Sequence, residues 1–145
     1  MEYNFKKVHI GKDLTISSIV LLTGIALFFV NKGLGIFIAV CGLLMLLLFK
    51  KGYRNGECGP TLYKVDKDIS KSGSAGLISF LNGSDAQFDL KEGNDGGIIH
   101  MEAYYNNKSN IAYVQLFHFV SYITEPMTEM VELNGAKADK LISKL

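Results

Sequence analysis

His100 and Glu102 stand two residues apart in the stretch IIHMEAYY, residues 98–105. An imidazole and a carboxylate are the groups from which acid–base sites and metal sites are built. On a strand, that spacing puts both on one face, about 6.6 Å apart along the chain. They could hold a metal only with ligands from elsewhere, and no spacing in the chain adds an acid–base partner beyond chance. His9 precedes the apolar runs described below. His118 falls on the opposite side of its strand from Gln115. No metal ligand set is therefore assigned.

Other chemical signatures are missing. Gly73-Ser74-Ala75-Gly76 lacks the spacing of a nucleophile elbow. Glycines 93, 96 and 97 match neither a dinucleotide fingerprint nor a phosphate loop. No catalytic residue and no cofactor is expected, and the chain is read as non-enzymatic.

What remains is a binding face. Pairing Tyr105 with Asn110 across a turn at 106–109 sets Ala103 opposite Ala112, Met101 opposite Val114 and Ile99 opposite Leu116. Those residues make one apolar face. The other then carries His100 opposite Gln115, Glu102 opposite Tyr113, and Tyr104 opposite Ile111. Tyrosine offers contact area and a hydrogen-bonding tip, which suits interfaces. His100, Glu102, Tyr104, Tyr113 and Gln115 are the candidate face for a protein segment or a lipid headgroup. The plainer alternative is a solvated sheet face.

The elements that must present this face lie between 61 and 145. Thr61–Asp66, Leu77–Leu81, 98–105, 110–124 and Thr128–Leu133 read as strands, with Ala86–Leu90 as a return strand. Asp68–Gly76 reads as a turn-rich patch, Asn82-Gly83 as a hairpin turn, 92–97 as a loop, and Pro126 as a strand end. Ala138, Leu141, Ile142 and Leu145 recur at helical spacing, so 136–145 reads as a short helix with Asn134 at its N-cap. Too short to stand alone, it must pack on the sheet or on lipid. Strands closed by one helix over 61–145 resemble the general plan of pleckstrin-homology-like domains. The likeness is one of element order, and it carries over no binding residue.

Two uncharged apolar runs precede this domain, Leu14–Val30 and Leu34–Phe49, with Asn31, Lys32 and Gly33 between them. A bilayer core asks for about 20 apolar residues per helix. With a residue borrowed at each end, the runs read as a transmembrane hairpin over 14–49. A soluble reading would bury two helices that are apolar all round, and 91 residues cannot wrap them. A cleaved signal peptide lacks its small-residue site after Val30. Ser17 and Gly24 in the first run, and Gly35, Ala39 and Gly42 in the second, are spaced for close helix packing. No charge sits at membrane depth, so no ion pathway is expected. Asp13 is the expected cap of the first helix, with Thr15 and Ser17 bonding back to its carbonyls.

Charge is uneven. Residues 1–54 hold seven basic and two acidic side chains; residues 55–145 hold eight and twelve. An acidic domain repels phosphate, so no nucleic-acid partner is expected. Lys6, Lys7 and Lys12 precede the hairpin and Lys50, Lys51 and Arg54 follow it, against Lys32 in the turn. The positive-inside rule then places both termini in the cytoplasm, in a plasma or inner membrane. Cys41 and Cys58 give no disulfide framework.

The fold expected is a membrane protein with an α+β soluble domain. It comprises an N-terminal segment over 1–13, the hairpin, a linker over 50–60, and a mostly antiparallel β domain over 61–145 closed by a C-terminal helix. The function expected is a membrane-anchored interaction or accessory subunit. Its partners are the lipid bilayer and a protein partner or second copy of the chain. A membrane-surface lipid or small-ligand binding domain is the alternative.

Overall fold

Alternating apolar and polar residues over 98–120 leave the chain one way to bury them, a strand pair with one greasy face. A computed structural model of the chain describes residues 3–91, 97–120 and 123–145, apart from the side chains of 119 and 120. Seven strands and four helices form among the described residues. The chain divides into two compact units, Met1–Thr61 and Leu62–Leu145.

The first unit is a helical hairpin tied at its open end. Helix α1 spans Gly11–Phe28 and α2 spans Lys32–Leu48. Asn31 caps α2, accepting from the Leu34 N–H at 3.2 Å. No side chain caps α1: Ile10 holds the N-cap, and Asp13 lies within the first turn instead of capping it. Thr15 and Ser17 do donate back, to the carbonyls of Gly11 (2.9 Å) and Asp13 (2.8 Å). Strand β1 (Phe5–Val8) precedes α1 and pairs antiparallel with β2 (Gly52–Asn55), which follows α2. Neither strand was expected; each lies where only a lead-in or a linker was read. Four residues with three glycines nearby carry no period strong enough to announce a strand.

α1 is long and apolar enough to cross a membrane, and 11% of it is buried. α2 is apolar and one residue shorter.

The second unit is an antiparallel sheet carrying helices on one face. Strands β3 (Leu62–Ser70), β4 (Ile98–Asn106) and β5 (Ile111–Val120) lie side by side. The far edge of β5 is shared. Its first half pairs with β7 (Val131–Asn134), and its second half with β6 (Ile123–Pro126). Between the two, the Thr128 hydroxyl accepts from the Leu116 N–H at 3.1 Å.

The β4–β5 register is two residues from the one expected. Ala103 faces Val114, Tyr104 faces Tyr113, and Glu102 faces Gln115. The cause is the turn. The Asn106 carboxamide accepts from the N–H groups of Lys108 (2.8 Å) and Ser109 (3.0 Å), and Asn110 takes a positive φ of 47°. The loop is thereby 107–110, not 106–109. A slip of two preserves the faces and changes only the partners.

Leu77–Leu81 is helical, as the end of α3 (Lys71–Leu81). Ser70 caps it by accepting from the Gly73 N–H at 3.1 Å. Ser74, Leu77, Phe80 and Leu81 then fall on one buried face. Asn82-Gly83 ends this helix and makes no hairpin. The Ser84 N–H reaches the Ser79 carbonyl and the Gly83 N–H reaches that of Phe80, both at 3.1 Å, with Gly83 at φ 100°. The stretch expected to be a turn-rich patch, Asp68–Gly76, runs from the end of β3 into α3, and its Gly73 and Gly76 are packing devices. A Cβ on Gly73 would lie 2.9 Å from the Asp89 carbonyl oxygen, and one on Gly76 would lie 2.7 Å from that of Gln87. Residues 86–90 form no strand; Phe88 and Leu90 instead enter the core beside α3.

Helix α4 (Ala136–Ile142) has Gly135 at its N-cap, not Asn134. Ala138 and Leu141 are buried on the sheet with Met101, Val114, Leu116 and Leu133. Because α3 falls between β3 and β4, the element order departs from strands closed by one helix. The expected loop over 92–97 lies, except for Gly97, outside the described residues.

Candidate functional site

β3, β4 and β5 turn their polar alternates to the face opposite the core. β3 contributes Lys64, Asp66 and Asp68; β4 contributes His100, Glu102 and Tyr104; β5 contributes Tyr113, Gln115 and Phe117. Pairing sets Asp66 directly against Glu102, and like charges so placed repel. Lys64 resolves the conflict. Its Nζ lies 2.9 Å from Asp66 Oδ1 and 3.0 Å from Glu102 Oε1. Partial burial disfavours its charge, but these two hydrogen bonds outweigh that and hold the ammonium well above the usual lysine range.

His100 is the next group along β4. Its Nδ1 lies 2.8 Å from Asp68 Oδ1, and its Nε2 lies 3.9 Å from Asp66 Oδ1. Asp68 orients the ring, as the third member of a catalytic triad would. The hydrogen bond that the described residues give the His100 ring is the one to Asp68.

Asp66, His100 and Glu102 each offer a ligand atom within 4.8 Å of the others. That geometry suits a divalent cation, yet Lys64 already places a positive charge between the two carboxylates. A metal would have to displace it, so the cluster is an ion-pair network as it stands.

The expected face is thus assembled on one side of the sheet, but its members differ in access. Tyr104 is 8% exposed and Tyr113 is 6% exposed. Gln115 is half-buried and donates to the Thr128 carbonyl at 3.1 Å. His100 and Glu102 keep partial access and line an open groove of about 1030 Å³. Asp68, Lys71, Phe117, His118, Thr124 and Met127 share its walls. Ile98 at its rim is exposed. Asp68 lies past the expected strand end at 66; Lys64 and Asp66 lie within that strand, but nothing local in the sequence pairs it with 98–105. The alternation of Tyr63, Val65, Lys67 and Ile69 with Lys64, Asp66 and Asp68 was the signal that could have extended it.

In the first unit, Ser17, Gly24, Gly35 and Gly42 are buried and Ala39 is half-buried. A Cβ on Gly24 would run into the backbone of Ala39, and one on Gly35 into that of Phe28. At Gly42 it would lie 2.6 Å from the Leu21 nitrogen. The two helices touch backbone to backbone along this row.

Compared with protein-family models, with curated proteins and with solved structures, the chain finds no match.

Proposed function

We propose that this protein is a membrane-anchored, non-enzymatic accessory subunit. In this reading α1 and α2 cross the bilayer as a hairpin, both termini are cytoplasmic, and the sheet unit offers its polar face to a protein partner. One observation carries the anchor: the hairpin buries its small residues and exposes its large ones. Leu22 is 64% exposed and Phe37 is 67% exposed, while Gly24, Gly35 and Gly42 are buried. Water penalises that arrangement and lipid does not. The core helix of a soluble protein has the opposite pattern. Alkaline carbonate washing of membranes tests it. The chain should stay in the pellet, and its release into the wash would remove the anchor.

The groove favours a second reading, a small-ligand binder at the membrane surface. Concave sites pair apolar walls with a few polar groups. Here Ile98, Phe117 and Met127 stand beside His100 and Glu102. Under this reading a small amphiphile raises the unfolding temperature, and Phe117→Ala abolishes the rise. A partner protein captured equally by Phe117→Ala and lost in His100→Ala would favour the first reading.

A further inference from the structure

The β1–β2 pair holds a charge conflict that no acidic side chain among the described residues resolves. Lys6 stands directly opposite Arg54 in the ladder. Like charges placed directly opposite each other destabilise a strand pair. Among the described residues of this unit only Asp13 and Glu57 are acidic, and neither forms an ion pair with Lys6 or Arg54. Arg54 Nε, shielded from solvent, meets no acceptor. On the outer face of the sheet, by contrast, the Asp66–Glu102 clash is bridged from within by Lys64.

The surroundings favour the same sign of ligand. The ribbon joins the start of α1 to the end of α2, so Lys7, Lys12, Lys50 and Lys51 gather at one end of the hairpin. All four are exposed. α1 opens without a side-chain cap, and a helix start carries partial positive charge. From these we propose that the ribbon binds the phosphate of anionic phospholipids, with Lys6 and Arg54 as the bridging pair. The proposal rests on the hairpin reading above. Lipid is the favoured source because this end of the hairpin would lie at headgroup level.

The test compares the full chain in vesicles of phosphatidylcholine alone with vesicles that also contain phosphatidylglycerol. The wild-type chain should unfold at higher temperature with the anionic lipid present. Lys6→Gln should change sign between the two. Without anionic lipid it relieves repulsion and unfolds no lower than wild type; with it, the variant unfolds lower. Phosphatidylglycerol retained through purification should fall roughly fivefold in Lys6→Gln, the share of one basic side chain near an anionic surface. Arg54→Gln should follow the same pattern if Lys6→Gln fails to fold. Equal shifts in both vesicles, or no gain for wild type, would overturn the proposal. So would a full gain from inorganic phosphate added to phosphatidylcholine vesicles, which would assign the site to free phosphate. Failure to enter either vesicle would instead overturn the hairpin reading.

Discussion

Removing Lys64 leaves Asp66 and Glu102 facing each other with no charge between them. Lys64→Met should therefore cost about 1 kcal/mol, an upper figure for a partly exposed pair. The same variant should gain what the wild type lacks. With three ligand atoms within 4.8 Å of one another, Zn²⁺ should raise the unfolding temperature of Lys64→Met and leave the wild type unmoved. A rise in both would show that the lysine does not stand in for the cation. The lysine also sets a pH limit. Its folded value is raised, so its contribution is complete below the ordinary 10.5 and is lost as pH climbs through the folded value. Unfolding followed from neutral to alkaline pH should show this loss in the wild type and not in Lys64→Met. At this scale the sequence was half legible. His100 and Glu102 declared themselves by type and spacing. Lys64, Asp66 and Asp68 belong to a strand 32 or more residues away, and nothing local announces such partners. Tyr113 shows the same limit: the period placed it on the polar face, but burial is a property of the fold.

At the scale of elements, small residues act by what they let approach. Gly24→Ala and Gly35→Ala should destabilise the hairpin, because each Cβ would enter the backbone of the facing helix. Overpacking of this kind costs about 1–3 kcal/mol. Gly33→Ala is the control. It meets nothing closer than Asn31 Oδ1 at 3.7 Å, so it should stabilise by the ordinary helix gain of about 0.5–1 kcal/mol. Thermal unfolding in detergent reads both signs, and the same sign for all three would contradict the close contact. On the sheet, Leu141→Asp should cost roughly 2 kcal/mol or more, since the side chain is fully buried among apolar neighbours. Unchanged unfolding would place the α4 face on lipid or in water. The elements legible in advance were those with a clean period, notably 98–105 and the tail helix. α3 was not, because Gly73, Ser74, Ala75 and Gly76 have low helix propensity as a group. Its helix is decided by the Ser70 cap and by Leu77, Phe80 and Leu81 burying together. The two-residue register error arose at Asn106, whose side chain chooses the turn.

At the scale of the molecule, the proposed anchor rests on the large apolar surface that the hairpin exposes. Composition made that surface legible, since two uncharged runs need no structure to be seen. The β1–β2 tie that brings the two ends together was hidden, being four residues on each side of two helices. If α1 and α2 both cross, the 29–31 turn and the 52–58 segment lie on opposite sides of the bilayer. Cys58 is exposed and Cys41 lies within α2, so Cys41→Ala leaves one reporter on the ribbon side. Adding Lys32→Cys to Cys41→Ala and Cys58→Ser moves the reporter to the first residue of α2, beside the turn. Labelling sealed cells with a membrane-impermeant maleimide then measures the topology directly. The reporter at position 32 should be labelled from outside, and Cys58 only after the membrane is opened. Equal labelling of both positions from the same side would contradict the hairpin reading.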